Sequence, residues 1–398
     1  MNARLRSFLV LTLLVMVTVA GCAPKAAPTP TAAPKPTAVP PTAAPVPIKI
    51  GVNLELSGDG AFIGNKALDG VKLANKLKPT VLGRPVELVI CDNRTDKTEG
   101  VNCMSRLIQN DKVAGVVAPL FSSLCIAAGD INENAKVPAI SATSTNPLST
   151  KDRKYFYRAC AMDDDKSRIS ADFAVSTLKA KTAATVYELT NEASIQAAVW
   201  LKERWIALGK DASTLTEITY RGGDTDFSAQ VSVLAQKKPD VIFWPGQVGA
   251  FIMAAQQAHA VGFYPQWIGN EAFDVPELTE LGKQDVEGVY FVTHYHPQMT
   301  DSAVATAFNA SCQKEFGRLP GAFEATGADC YYMLLEAMTR AGSTDGVAMT
   351  RELEGLKDFP GVSGPITMGP THNPAKALVM LQVKSGKVEY LMTIPPSR

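Results

Sequence analysis

Neither positive nor negative charge is in excess in this chain of 398 residues: 39 Lys and Arg stand against 39 Asp and Glu, with no basic block. A nucleic-acid partner is therefore not expected, because phosphate backbones are held by a concentrated basic face. Histidine is scarce, at four in the whole chain, so general bases are few. No serine stands in a Gly-x-Ser-x-Gly turn, the usual setting of an exposed nucleophile. No cysteines are spaced Cys-x-x-Cys, which argues against a closed zinc site. His294-Tyr295-His296 would put two imidazoles on one face of a strand, but no third ligand stands nearby, and no metal is expected. Asp163-Asp164-Asp165 lacks the spacing of a calcium loop and reads as a solvated turn between lobes. Gly58-Asp59-Gly60 with Gly64 follows a strand, yet departs from the Gly-x-Gly-x-x-Gly spacing of a dinucleotide loop. No cofactor is expected. Beyond Cys22 no apolar run is long enough to span a bilayer.

What is present begins at the N-terminus. Arg4 and Arg6 precede an apolar run from Phe8 to Val19, which closes in Ala20-Gly21-Cys22. A basic start, a short apolar stretch and small residues make a secretory signal, not a membrane span. A cysteine directly after the small residues resembles a bacterial lipobox. That resemblance implies removal of residues 1–21 and lipidation of Cys22. Residues 23–47 hold only Ala, Pro, Thr, Val and the lysines Lys25 and Lys35. So many prolines favour extended polyproline II at ~3.1 Å per residue, a tether rather than a domain. The expected place is the outer face of a cell membrane, periplasmic or extracellular, with membrane contact through the lipid alone. Six further cysteines follow: Cys91, Cys103, Cys125, Cys160, Cys312 and Cys330. An even number in an exported chain permits disulfides, and six cysteines allow fifteen pairings. Buried free thiols are the alternative for some of them.

From Ile48 onward short apolar runs alternate with helical ones. Ile48–Val52, Val86–Ile90, Val113–Ala118 and Val137–Ile140 read as strands, with apolar residues at helical spacing between them. A second series follows in Ala183–Glu188, Leu215–Tyr220, Val241–Trp244 and Trp267–Gly269. Alternating β and α order implies parallel strands with helices on both faces. Ala377–Lys384 and Val388–Ile394, around Ser385-Gly386-Lys387, predict a hairpin. About 350 residues exceed one ordinary domain, so two lobes are expected. The fold class is α/β, as two doubly wound, Rossmann-like lobes. In open parallel sheets ligands bind beyond the carboxyl ends of strands, so the loops that follow each strand are the ones to inspect.

Several of those loops carry a family pattern. Leu56-Ser57-Gly58 follows the first strand, and Pro119-Leu120-Phe121-Ser122-Ser123 follows the third. Then come Val137-Pro138-Ala139-Ile140-Ser141 with Thr143-Ser144-Thr145-Asn146-Pro147, Thr225-Asp226-Phe227-Ser228, and Lys238-Pro239-Asp240-Val241-Ile242-Phe243. In this order they resemble the branched-chain amino-acid-binding proteins of ABC transporters, a type I periplasmic binding protein family. The resemblance covers nearly all of the chain after Ile48. It implies two lobes joined by three crossovers and a cleft that closes on its ligand. Lobe 1 is expected to hold residues 48–162 and 292–353, and lobe 2 residues 163–291 and 354–398.

The candidate ligand site follows from these loops. Ser122 lies where a hydroxyl and a helix N-terminus hold an anion, although a plain N-cap serine has the same look. By resemblance it binds a ligand carboxylate. Thr143 to Asn146 follows the next strand, where a solvated Ser/Thr turn is the plainer reading; the resemblance implies that the Thr143 carbonyl accepts from the ligand ammonium and that Thr145 meets the carboxylate with its amide and the ammonium with its hydroxyl. Glu271, beyond Trp267–Gly269, offers a carboxylate to a buried ammonium that would be costly to desolvate unpaired. Phe62, Ile63 and Phe323 are candidate apolar walls. Where the family has aromatic residues, this chain has Glu192 and Gln247, so the second lobe's side of the pocket is more polar than a leucine site requires. The resemblance implies a partner ABC permease, a small ligand of the α-amino-acid class, no enzymatic activity and a monomer. A receptor module of the same fold, and an exported enzyme, are the alternatives.

Overall fold

The computed structural model describes residue 21, residues 45–299 and residues 302–396. The signal segment before Gly21, Cys22 and the tether up to residue 44 lie outside them.

Strand β1 (Ile48–Leu54) is buried at every position except Lys49. Such a continuous buried run belongs in the middle of a parallel sheet, and β1 lies there. It is followed by α1 (Ala61–Leu77), β2 (Thr80–Val81), β3 (Arg84–Asp92), α2 (Lys97–Ser105), β4 (Gly115–Ala118), α3 (Ser122–Ala135), β5 (Ala139–Ser141) and β6 (Phe156–Arg158). The sheet runs β2-β3-β1-β4-β5-β6. All its pairs are parallel except β2 with β3, which form a short antiparallel turn.

The chain then enters a second lobe through α4 (Asp163–Ser176). There follow β7 (Ala183–Glu188), α5 (Glu192–Ala207), β8 (Leu215–Tyr220), α6 (Ser228–Lys237), β9 (Val241–Trp244), α7 (Val248–Ala260), β10 (Trp267–Gly269), α8 (Glu277–Gly282) and β11 (Tyr290–Thr293). It returns to the first lobe through α9 (Ala303–Phe316), α10 (Ala322–Ala341), α11 (Gly346–Glu354) and the small strands β12 (Phe359–Gly361), β13 (Gly364–Met368) and β14 (Pro374–Ala375). A third passage leads to β15 (Leu378–Lys384) and β16 (Lys387–Ile394), the hairpin that completes the second sheet. That sheet runs β16-β15-β11-β10-β9-β7-β8.

Two expected lobe limits move. Val292 and Thr293 pair with Met380 and Val379, so the return to lobe 1 comes after Thr293 rather than at residue 292. Leu356, Phe359, Val362, Ile366 and Met368 pack into the same core as β1 and α10. Residues 354–368, expected in lobe 2, therefore belong to lobe 1. The apolar periodicity of these short strands does not say which core they enter.

Two shorter readings also change. Asp163-Asp164-Asp165 is the first turn of α4, where acidic side chains suit the helix dipole, rather than a solvated turn. His294-Tyr295-His296 lies past the end of β11 and is not a strand. His294 is buried there with neither ring nitrogen hydrogen-bonded, and burial pulls its pKa well below the ordinary histidine value.

Helices α1 and α10 pack backbone to backbone. A Cβ on Gly70 would lie 2.0 Å from the Glu324 carbonyl oxygen, so only glycine permits this approach. Cys91 at the end of β3 is bonded to Cys103 of α2, while Cys125, Cys160, Cys312 and Cys330 are free and buried. Among the described residues, no helix is long and apolar enough to cross a membrane.

Candidate functional site

A cavity of about 1000 Å³ lies between the two lobes. All nine candidate residues line it: Phe62, Ile63, Ser122, Thr143, Thr145, Glu192, Gln247, Glu271 and Phe323. They come from loops and helix starts beyond β1, β4, β5, β7, β9 and β10, together with the first turn of α10. Parallel sheets place their carboxyl-end loops on one side, and two sheets facing each other bring those loops to one cleft.

The lobe 1 side is built by hydrogen bonds that fix the loops before any ligand arrives. Ser122 is the first residue of α3, and no side chain caps that helix. Helix N-termini carry unpaired N–H groups and a partial positive charge, a ready place for an anion. The Ser122 hydroxyl accepts from the Asn146 backbone N–H at 3.2 Å and from Ser144 Oγ at 3.2 Å, which leaves its own proton to donate. Ser141 Oγ donates to the Pro119 carbonyl at 2.6 Å and accepts from the Ser144 N–H at 3.0 Å, tying the loops after β4 and β5 together. Thr145 is buried, and its hydroxyl donates to Asp163 Oδ2 at 2.7 Å.

Glu55 holds the β4–α3 loop from behind. It is fully buried, and its carboxylate accepts from the backbone N–H groups of Leu120 and Phe121 at 3.1 Å. Burial raises its pKa, opposed by those backbone hydrogen bonds. Sequence reading missed Glu55, because an acidic residue after a strand gives no sign that its side chain turns inward.

The lobe 2 side carries most of the charge. Glu271 opens a short helical turn after β10, held by Asn270, which accepts from the Ala272 N–H at 3.1 Å. Glu271 does not face the cleft alone. Lys166, from α4, pairs with Glu271 Oε1 and lies 2.6 Å from Asp163 Oδ1. Burial alone would discharge Lys166, but the two carboxylates outweigh it and hold its pKa above that of an ordinary lysine. Neither Lys166 nor the inward turn of Asp163 was read from the sequence. Both sit on one short acidic helix start, where a solvated face is the usual outcome.

Glu192 and Gln247 stand at the starts of α5 and α7, and both are exposed at the cleft wall. Phe62 is 41% exposed, whereas Phe323 is nearly buried, so the apolar wall of lobe 1 is partly open to solvent. Among the described residues no group of three His, Cys, Asp or Glu side chains could hold a metal ion. The cleft thus offers an anion seat at the start of α3, a carboxylate-rich seat across from it, and apolar walls between.

Two lobes of this topology, three crossovers and one cleft between them define a solute-binding protein of the type I periplasmic binding fold. The chain belongs to the periplasmic binding protein family, whose model matches residues 47–387. It is similar to the Leu/Ile/Val-binding protein BraC3 of Rhizobium johnstonii, at 24% identity over 85% of this chain and 92% of the relative. Among solved structures it is similar to the leucine-binding protein LivK of Thermotoga maritima. That pair shares 34% identity with a TM-score of 0.81, over 88% of this chain and 99% of the other. It is also similar to LivJ of Streptococcus pneumoniae in complex with isoleucine, at 25% identity and a TM-score of 0.80, over 88% of this chain and all of that one.

Proposed function

We propose that this chain captures a small α-amino acid outside the cytoplasm and delivers it to an ABC permease without altering it. One observation carries the reading: an anion seat at the start of α3 and a carboxylate pair at Glu271 and Asp163 line the same interlobe cavity. Those are complements to the two ends of a zwitterion. Ser122 and the first N–H groups of α3 would hold the carboxylate, with Thr145 beside them. Glu271 Oε2 would accept from the ammonium. Phe62, Ile63 and Phe323 would line the side chain, and the exposed Glu192 and Gln247 favour a side chain with a polar end.

Capture follows from hinge closure. Each lobe supplies part of the site, so the closed form gains contacts that the open form lacks, and ligand shifts the population toward closure. The permease would read the closed surface. Cys22 would carry the lipid, and residues 23–47 would hold the lobes away from the membrane. The names of the relatives support the ligand class.

A thermal-shift screen against amino acids, amides and small carboxylates tests the reading. A ligand at a hundred times its Kd adds ~2.7 kcal/mol of stability. Ser122→Ala and Glu271→Ala should each weaken the responding amino acid about tenfold or more while leaving the fold intact, as expected when a charged hydrogen bond is lost. No stabilisation by any amino acid would overturn the proposal, and unchanged affinity in both variants would overturn the site.

A further inference from the structure

At the floor of the cleft Asp163 and Glu271 converge on one ammonium, that of Lys166. The Lys166 side chain is only 4% exposed, so this cation is a fixed part of the site and not a solvated tail. Asp163 is satisfied on both oxygens, by Lys166 on one and by the Thr145 hydroxyl on the other. Glu271 is satisfied on Oε1 alone, and its Oε2 is buried without a hydrogen-bond partner. Two carboxylates against one ammonium leave a single negative charge and one open acceptor.

A cleft whose only cation came from its ligand would reject any solute without an ammonium. Binding such a solute would bury a carboxylate unpaired, which is strongly unfavourable. Here the chain itself supplies the cation. A solute without an ammonium leaves one oxygen of Glu271 to satisfy, and an uncharged hydroxyl can donate to it. We infer that Lys166 determines specificity as a resident ammonium, allowing the cleft to accept 2-hydroxy acids beside the corresponding amino acids. The inference rests on the proposed placement of the solute between Ser122 and Glu271. The carboxylate of a 2-hydroxy acid takes the seat at the start of α3, and its hydroxyl donates to Glu271 Oε2. Removing Lys166 returns Glu271 to a bare carboxylate, which an ammonium satisfies and a hydroxyl does not.

Titration calorimetry on the purified chain tests this with matched pairs: leucine and 2-hydroxy-4-methylpentanoate, tyrosine and 3-(4-hydroxyphenyl)lactate, glutamate and 2-hydroxyglutarate. For the tightest pair the hydroxy acid should bind within about tenfold of the amino acid, a gap of one decade in Kd. In Lys166→Met that gap should widen by about tenfold or more in favour of the amino acid, because Asp163 and Glu271, left without Lys166, demand a cation. A native gap above about a thousandfold, or an unchanged gap in the variant, would overturn the inference. Lys166→Gln serves where circular dichroism shows Lys166→Met unfolded, and the native gap decides by itself if both variants fail to fold. Binding of hydroxy acids without any amino acid would uphold Lys166 as the resident ammonium and overturn the amino-acid proposal. No binding by any member of any pair would overturn the inference, and the amino-acid proposal falls with it only where no amino acid of the thermal-shift screen stabilises the chain.

Discussion

Removing the ammonium of Lys376 should destabilise the protein in a way that depends on pH. Lys376 lies in the third passage between lobes, 3.5 Å from Asp329 Oδ2 of α10. Asp329 is fully buried and Lys376 is 3% exposed. The carboxylate also accepts from the backbone N–H of Val362 at 2.5 Å and of Ser363 at 3.2 Å, so it organises the turn between β12 and β13. Lys376→Met leaves that carboxylate buried without a cation, a change that costs ~3–5 kcal/mol when one member of a buried pair is removed. Burial already raises the Asp329 pKa, and Lys376 opposes that rise. Without Lys376 the pKa climbs further. A raised carboxylate pKa gives stability that is present at low pH and lost as pH rises through the folded value. The variant should therefore lose most at pH 7.5 and recover part of the loss at pH 5. Lys376→Met with Asp329→Asn should cost less than Lys376→Met alone at pH 7.5, because no charge is then left unpaired. Urea unfolding at both pH values measures this. A loss below ~1 kcal/mol at pH 7.5, the range of an exposed pair, or the same loss at both pH values, would mean that Lys376 does not neutralise Asp329.

Burial pushes the carboxyl of Asp274 up to about 6, opposed by the hydroxyl of Thr293, which donates to it at 2.9 Å. Its contribution is full below the ordinary value of 3.8 and is lost as pH rises through about 6. Melting temperatures from pH 4 to 7 should fall in the native chain relative to Asp274→Asn by an amount worth ~1–2 kcal/mol, screening by partial exposure included. A constant difference across that range would contradict the assignment. The Cys91–Cys103 bond closes a short loop with a sequence separation of 12, so Cys103→Ala should cost ~2–3 kcal/mol in thermal unfolding. An added reductant should lower the native melting temperature and leave the variant unmoved.

The β–α alternation was legible because parallel strands such as β4 and β9 are apolar throughout while helices repeat at 3.6 residues. The position of Ser122, Thr143, Thr145 and Glu271 in one cleft could be anticipated because each follows a strand. What the sequence did not show depends on side chains meeting across distant segments. Glu55 turns beneath the loop that carries Ser122, and Lys166 reaches from α4 to Glu271 across 105 positions of sequence. The acidic run at Asp163 has the composition of a surface turn, and only packing shows that Asp163 and Asp164 are drawn inward. The pairing of Cys91 with Cys103 likewise follows from β3 and α2 lying together, which spacing alone did not single out. The assignment of residues 354–368 to lobe 1 rests on Leu356, Phe359 and Ile366 entering that core, a choice that apolar residues would allow in either lobe.

Ligand bound between the lobes should draw them together. Small-angle X-ray scattering of the purified chain, with and without the amino acid that gives the largest thermal shift, tests it most directly. The radius of gyration should fall in the bound state, and in Glu271→Ala the same fall should need about tenfold or more ligand. An unchanged radius at saturating ligand, with binding confirmed by calorimetry, would contradict it.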